Sequence, residues 1–260
     1  MCIMLIAATL RASPHKKAGR QAQLAHHSVV AVGAKLMQCY PDFIIGYSRN
    51  CIIWKDSTRM PYEVAERHAT FADAVDNPCL ADQFSQKYPK GILKANPAKG
   101  ADPGRIRYEP FFYKMYGKDQ AAVRKNLTEV VWCPKLVGQK ILVTKVNGVD
   151  KKIRAISREL DRHPELKPYL TDIGGTFCWR NINGTNRQSA HSFGTTIDLN
   201  VKWSAYWQWD CKCTDEDANL GYRNRIPQTI VDIFEKNGFI WGGKWYHYDT
   251  MHFEYRPDLL

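Results

Sequence analysis

The sequence predicts an α+β fold, one small antiparallel sheet with helices packed on one side, and three observations lead there. Thr196-Ile197-Asp198-Leu199-Asn200 alternates as a half-buried strand does, with Ile197 and Leu199 toward a core and Asp198 toward the opposite face. His252-Phe253-Glu254-Tyr255 reads as a last strand. Between and before these strands lie helical patterns, with Ile153, Ile156 and Leu160 on one face and Ile230, Val231 and Phe234 on another. At 260 residues, with 44% hydrophobic and 12% aromatic content, the chain can bury a full core. One domain with an elaborated half fits that length better than two equal domains.

Taken in order, residues 1–38 read as a leader or disordered segment. Cys2 to Leu10 is an apolar run of export-signal length, but no basic residues precede it. Val29 to Met37 is a second short apolar stretch. Neither reaches the roughly 20 residues needed to span a bilayer, so no transmembrane segment is expected. Residues 39–130 form an aromatic-rich extension expected to pack on the core. Turn signals punctuate it at Pro61, Pro78, Pro89-Lys90-Gly91, Pro97 and Asp102-Pro103-Gly104. A helix is expected from Tyr62 to Val75, and another from Gln120 to Leu127, capped by Asp119. This half shows no constellation that carries chemistry.

Residues 131–260 hold the remaining elements. Lys140 to Val146 is a strand closed by an Asn147-Gly148 turn, and Asp150 is placed to cap the helix that follows. Gly174-Gly175 opens the next strand. Pro227 and Gly238 bracket a later helix.

Lys and Arg outnumber Asp and Glu by 37 to 26, a formal charge of +11 that favours an anionic partner. The charges are spread along the chain, which equally describes a basic solvated surface, and no nucleic-acid motif is present, so no nucleic-acid partner is expected. Of the eight cysteines, Cys211-Lys212-Cys213 lacks the second pair that a structural zinc knuckle needs. The other spacings fix no pairing, and Cys178 reads as a small buried apolar residue.

The informative stretch is Ser189-Ala190-His191-Ser192-Phe193-Gly194-Thr195-Thr196-Ile197-Asp198, followed later by Asp249-Thr250-Met251-His252. Two imidazoles and a carboxylate make a normal ligand set for a catalytic zinc with one position left open. Gly194 permits a tight reversal between His191 and Asp198. Asp249 stands three positions before His252, which on a regular strand would put them on opposite faces. Asp249 must therefore sit in the turn that enters the strand. Glu254 shares the His252 face, and reads equally as a group orienting a ligand or as a surface ion pair. His247, in an aromatic run, stays outside the ligand set.

These residues resemble the zinc peptidase superfamily that includes lysostaphin-type enzymes and the hedgehog signalling domain. The resemblance is to its branch of D-Ala-D-Ala carboxypeptidases and L-alanyl-D-glutamate endopeptidases. It extends through Gly174-Gly175-Thr176-Phe177-Cys178-Trp179-Arg180 and Gly238-Phe239-Ile240-Trp241-Gly242-Gly243, roughly the last half of the chain. It implies Zn2+ held by His191, Asp198 and His252, Asp249 as general base, and Ser189 near substrate. It also implies an oxyanion-stabilising arginine upstream of the first histidine. Arg180 is preferred for that role over Arg187, which is assigned to solvent or to a substrate carboxylate. The family's usual alanine is Thr196 here, which adds a hydroxyl on the Asp198 face. The resemblance further implies peptidoglycan stem peptides as substrate, a monomer, and a place in the cell envelope. D-alanyl-D-alanine carboxypeptidase action is the first reading. An L-alanyl-D-glutamate endopeptidase, and a zinc-containing binding module without activity, are the alternatives.

Overall fold

A computed structural model describes residues 29–63 and 71–260, and its elements follow the chain in order. Helix α1 (Val29–Cys39) leads into strands β1 (Ile44–Ser48), β2 (Cys51–Trp54) and β3 (Arg59–Pro61). Short helices α2 (Phe71–Asp76), α3 (Glu109–Tyr116) and α4 (Gln120–Arg124) follow, and then a hairpin of β4 (Leu127–Trp132) and β5 (Gln139–Thr144). The chain continues through α5 (Val149–Leu160), α6 (Lys167–Leu170), β6 (Ile173–Gly175) and β7 (Thr196–Asn200). It finishes with α7 (Trp207–Cys211), α8 (Gln228–Lys236), β8 (Phe239–Trp241) and β9 (His252–Tyr255).

The fold is α+β, but the described strands form three antiparallel sheets rather than one. These are β1-β2-β3, β4-β5, and a four-stranded sheet in the order β6-β7-β9-β8. The third carries the site. Its core face presents Ile197, Leu199 and Phe253, all fully buried, and Phe253 stacks on Phe234 of α8 with ring centroids 4.0 Å apart. Helix α5 buries Ile153, Ile156 and Leu160 as its periodicity requires, and packs against β4 and α8. Pro227 precedes α8, and Gly238 takes φ +90 just beyond it.

Several local expectations shift by a few residues for identifiable reasons. Residues Val29–Cys39 form a helix whose Val32 and Leu36 are buried in the core. The Cys2–Leu10 run lies outside the described residues. So do residues 64–70 of the helix expected from Tyr62 to Val75, of which Phe71–Asp76 is seen. The Asp119 side chain does cap α4, accepting from the Ala122 amide at 2.8 Å. That helix stops at Arg124, since Leu127 already pairs with Thr144. Helix α5 starts at Val149 with Gly148 as its cap, which leaves Asp150 inside the first turn. Gly174 and Gly175 end β6 rather than opening it. Cys178 is exposed, and Cys211 is joined to Cys213. Among the described residues, no helix is long and apolar enough to cross a membrane.

The two halves share one apolar core and many polar contacts. Tyr40, Trp54, Phe111 and Phe112 lie in the same cluster as Phe193, Ile197, Phe234 and Phe253. The fully buried Lys244 donates to the carbonyls of Pro89 (2.7 Å) and Gly91 (2.5 Å) and pairs with Glu235. Trp245 Nε1 donates to the Pro103 carbonyl at 2.7 Å. Asp102 Oδ1 accepts from the His247 amide at 2.9 Å, and Asp102 Oδ2 lies 2.8 Å from His247 Nδ1. A division between residues 130 and 131 would cut through β4.

Candidate metal centre and active site

Pairing of β7 with β9 sets Asp198 directly opposite His252, so their side chains leave the sheet on the same face. The core-facing pair Ile197 and Phe253 holds that register, since a slip of one residue would turn both apolar side chains out. His191 arrives by a different route. It lies in a 3-10 turn, Ala190–Phe193, closed by Gly194 at φ +67. The Gly194 carbonyl accepts from the Thr144 amide at 3.0 Å, and a Cβ at Gly194 would lie 2.7 Å from the Leu127 side chain. Only glycine combines that conformation with that closeness. The reversal anticipated between His191 and Asp198 is therefore anchored on the β4-β5 hairpin.

The donor atoms converge. His191 Nε2 lies 3.1 Å from Asp198 Oδ2, and His252 Nδ1 lies 3.0 Å from Asp198 Oδ1. One ligand atom from each of the three residues falls within 4.8 Å of the others. Zinc bonds of about 2.0–2.1 Å in a tetrahedron place donors about 3.3 Å apart, so this set is close to what the ion requires. The far nitrogens are also committed. His191 Nδ1 lies 2.6 Å from the Thr176 carbonyl, which only accepts, so the ring proton sits there and Nε2 keeps a lone pair. His252 Nε2 lies 3.4 Å from Glu254 Oε2, which leaves Nδ1 for the centre. The residues present fit a zinc ion.

The electrostatics follow from enclosing several charges together. Burial acts to raise the Asp198 carboxyl, but the two histidines more than reverse this and hold it well below the usual range. Burial acts to lower His252, yet its hydrogen bonds to Asp198 and Glu254 carry it up to about 10. A cation at this point is strongly favoured, be it a proton or a metal ion.

Asp249 sits in the turn entering β9, as the spacing demanded. Its amide donates to the Gly242 carbonyl at 3.1 Å, and its own carbonyl accepts from the His252 amide at 3.2 Å. Gly242 is needed there, because a Cβ would come within 2.5 Å of the Asp249 carbonyl oxygen. Asp249 Oδ1 is enclosed and has no hydrogen-bond partner. Burial first, and the neighbouring Asp198 carboxylate second, push the Asp249 carboxyl up to about 6.

The other anticipated residues are less converged. Ser189 is buried, its amide donating to the Arg180 carbonyl at 3.0 Å. Arg180 lies in a loop past β6, exposed, with its guanidinium on the Asn181 carbonyl at 3.2 Å. Trp179 packs edge-on against Phe193 rather than bracing Arg180. Arg187 is largely enclosed, with Nε 3.3 Å from Asp76. It lines a cavity of about 600 Å3 where the two halves meet, with Asp76, Arg107 and Glu109 on one side and Thr185 and Asn186 on the other. Thr196 is buried opposite Glu254 with its hydroxyl unpartnered. His247 packs beside Trp207, with ring centroids 4.7 Å apart, and stays outside the donor set.

Two groups escaped the sequence reading. Ser192 Oγ accepts from the Arg180 amide at 3.0 Å and from Gln188 Nε2 at 2.5 Å, tying the Arg180 loop to the His191 turn. Arg107, from the half that showed no chemical constellation, grips Glu254. Glu254 is fully buried, so it is no surface ion pair, and it meets both His252 of the candidate donor set and an arginine. No local pattern announces either contact.

Residues 183–255 match a family model described as D-alanyl-D-alanine carboxypeptidase. No curated protein and no solved structure matches the chain. The candidate centre thus takes its two histidines and both of its aspartates from the segment that is similar to the D-alanyl-D-alanine carboxypeptidase family model.

Proposed function

We propose that this protein is a zinc-dependent peptidase that hydrolyses peptidoglycan stem peptides, acting as a D-alanyl-D-alanine carboxypeptidase in the cell envelope and as a monomer. The observation that carries the reading is the convergence of His191 Nε2, Asp198 and His252 Nδ1 beside an enclosed, unpartnered carboxylate oxygen of Asp249. When bound, zinc would supply Lewis-acid activation of the scissile carbonyl and of the attacking water. Asp249 takes a proton from that water and delivers it to the leaving amine nitrogen. Its elevated carboxyl is suited to both steps, since it accepts near neutrality and releases readily. Arg180, exposed at the rim, turns toward the developing oxyanion once substrate is seated. Ser189 and Arg187 contact the substrate, Arg187 through a carboxylate of the peptide. The net charge of +11 draws the protein to an anionic wall.

An acid at position 249 supports catalysis over a purely structural zinc module, which has no use for a base. The test is direct. The purified protein should carry about one zinc, and His191→Ala should lose most of it, as metal analysis will show. Digestion of purified muropeptides followed by mass spectrometry should show loss of a terminal alanine. Scission between L-alanine and D-glutamate would transfer the assignment to the endopeptidase reading. Full zinc content in His191→Ala would sink the ligand set.

A further inference from the structure

We propose that Arg107 is a positioning residue for this metal centre: it clamps Glu254, and Glu254 in turn fixes the His252 imidazole with Nδ1 facing the ion. The inference rests on the zinc reading above, and adds to it a residue that lies outside the family-matched segment.

Arg107 stands 147 residues before Glu254 and reaches it across the junction of the halves. Its Nε donates to Oε1 and Oε2, each at 3.0 Å, and its Nη2 also donates to Oε2. Two donors in a rigid fork define the plane of the carboxylate, which a single point charge does not. Glu254 is fully buried, so bulk water does not orient it. Arg256 is the second cation nearby, but its Nη1 is 4.0 Å from Oε1 and its guanidinium is engaged with Asp258. The geometry of the carboxylate is therefore set by Arg107. With that plane fixed, Oε2 lies 3.4 Å from His252 Nε2, and the ring proton is directed to it. The lone pair is then left on Nδ1, 3.0 Å from Asp198 Oδ1.

The clamp is also an ion pair between enclosed groups, since Arg107 Nη2 meets Glu254 Oε2 with both side chains largely out of solvent. Arg107 is itself restrained. Its Nη1 donates at 3.3 Å to the backbone carbonyl of Arg105, a contact independent of the Arg105 side chain. The amino-terminal half thus contributes to the metal centre without touching the metal.

Zinc affinity, measured on the full chain by competition with a chelator, tests this without recourse to turnover. Arg107→Met should weaken zinc binding by about 10–100-fold, the scale of lost outer hydrogen bonds to a metal ligand. Arg107→Lys should recover part of the affinity, because it restores charge but not the fork. Arg105→Met supplies the structural control: it loosens the same junction and should lower the melting temperature with zinc affinity unaltered. Wild-type affinity in Arg107→Met overturns the clamp, and so does an equal loss in Arg105→Met. Should Arg107→Met fail to fold, Arg107→Lys decides, since unchanged affinity there also overturns it. A wild-type protein that binds no zinc would instead reject the ligand assignment, and the clamp with it.

Discussion

Burial decides what Asp249 can do. An ordinary aspartate is fully ionised at neutral pH and a feeble base, whereas this one is raised to about 6 by enclosure and by Asp198. Asp249→Asn is nearly isosteric and should keep fold and zinc while turnover falls by ~10²–10⁴-fold, the usual contribution of a general base. Zinc content and hydrolysis rate must be read on the same preparation. Loss of zinc would make Asp249 a ligand, and near-normal turnover would remove it from the mechanism. The residue scale is also where the sequence was most legible. His191, Asp198, Asp249 and His252 sit at informative spacings, because the proposed metal site restricts residue types and because the turn before β9 needs a fixed length. Arg107 and Ser192 were silent for the opposite reason. Their roles depend on partners that folding brings in, 147 residues away in one case.

At the scale of elements, the site depends on two strands in register and one turn pressed against a hairpin. The alternation in Thr196–Asn200 and His252–Tyr255 was readable because one face of each strand is buried. The turn carrying His191 depends on Gly194, whose φ of +67 and lack of a Cβ let it lie against Leu127 and the Thr144 amide. Gly194→Ala should therefore destabilise the protein by more than ~1 kcal/mol, since it combines an unfavourable conformation with a clash. It should also weaken zinc binding by shifting His191. Unchanged melting and unchanged zinc affinity together would show that the turn is not anchored this way. Helix limits were less legible than strands. The expected end of α4 at Leu127 was wrong because β-pairing with Thr144 claims that residue, a competition that local propensity does not register.

At the scale of the whole molecule, the proposal is one folding unit in which residues 39–130 pack on the half that carries the candidate centre. Asp102 is a sharp probe of that junction. Its fully buried carboxylate meets the His247 amide and ring and lies 3.5 Å from Arg105. Removing one partner of a buried charged pair costs about 3–5 kcal/mol. Asp102→Asn should thus lower the melting temperature on the order of 10 °C, within a single transition. Two separate transitions in the wild type would contradict a shared unit. Burial alone would raise the Asp102 carboxyl, but Arg105 and His247 outweigh it and leave the group below its ordinary value. A lowered carboxyl contributes stability above its unfolded value of about 3.9, and loses it as pH falls through the folded one. The melting difference between wild type and Asp102→Asn should accordingly be full at pH 7 and shrink below about pH 4. A difference that grows on acidification would refute the assignment.

The sequence by itself determined the class of fold, the strands and helices that hold the site, and the identity of its imidazoles and carboxylates. Those features are local, because side-chain periodicity, turn chemistry and ligand type are all written within a few residues of one another. Tertiary structure alone decided the division into three sheets and the ordering of Val29–Cys39 against the core. It alone also brought an arginine from the amino-terminal half onto Glu254. These outcomes depend on which distant surfaces meet, and no spacing along the chain encodes a contact made by a fold already in place.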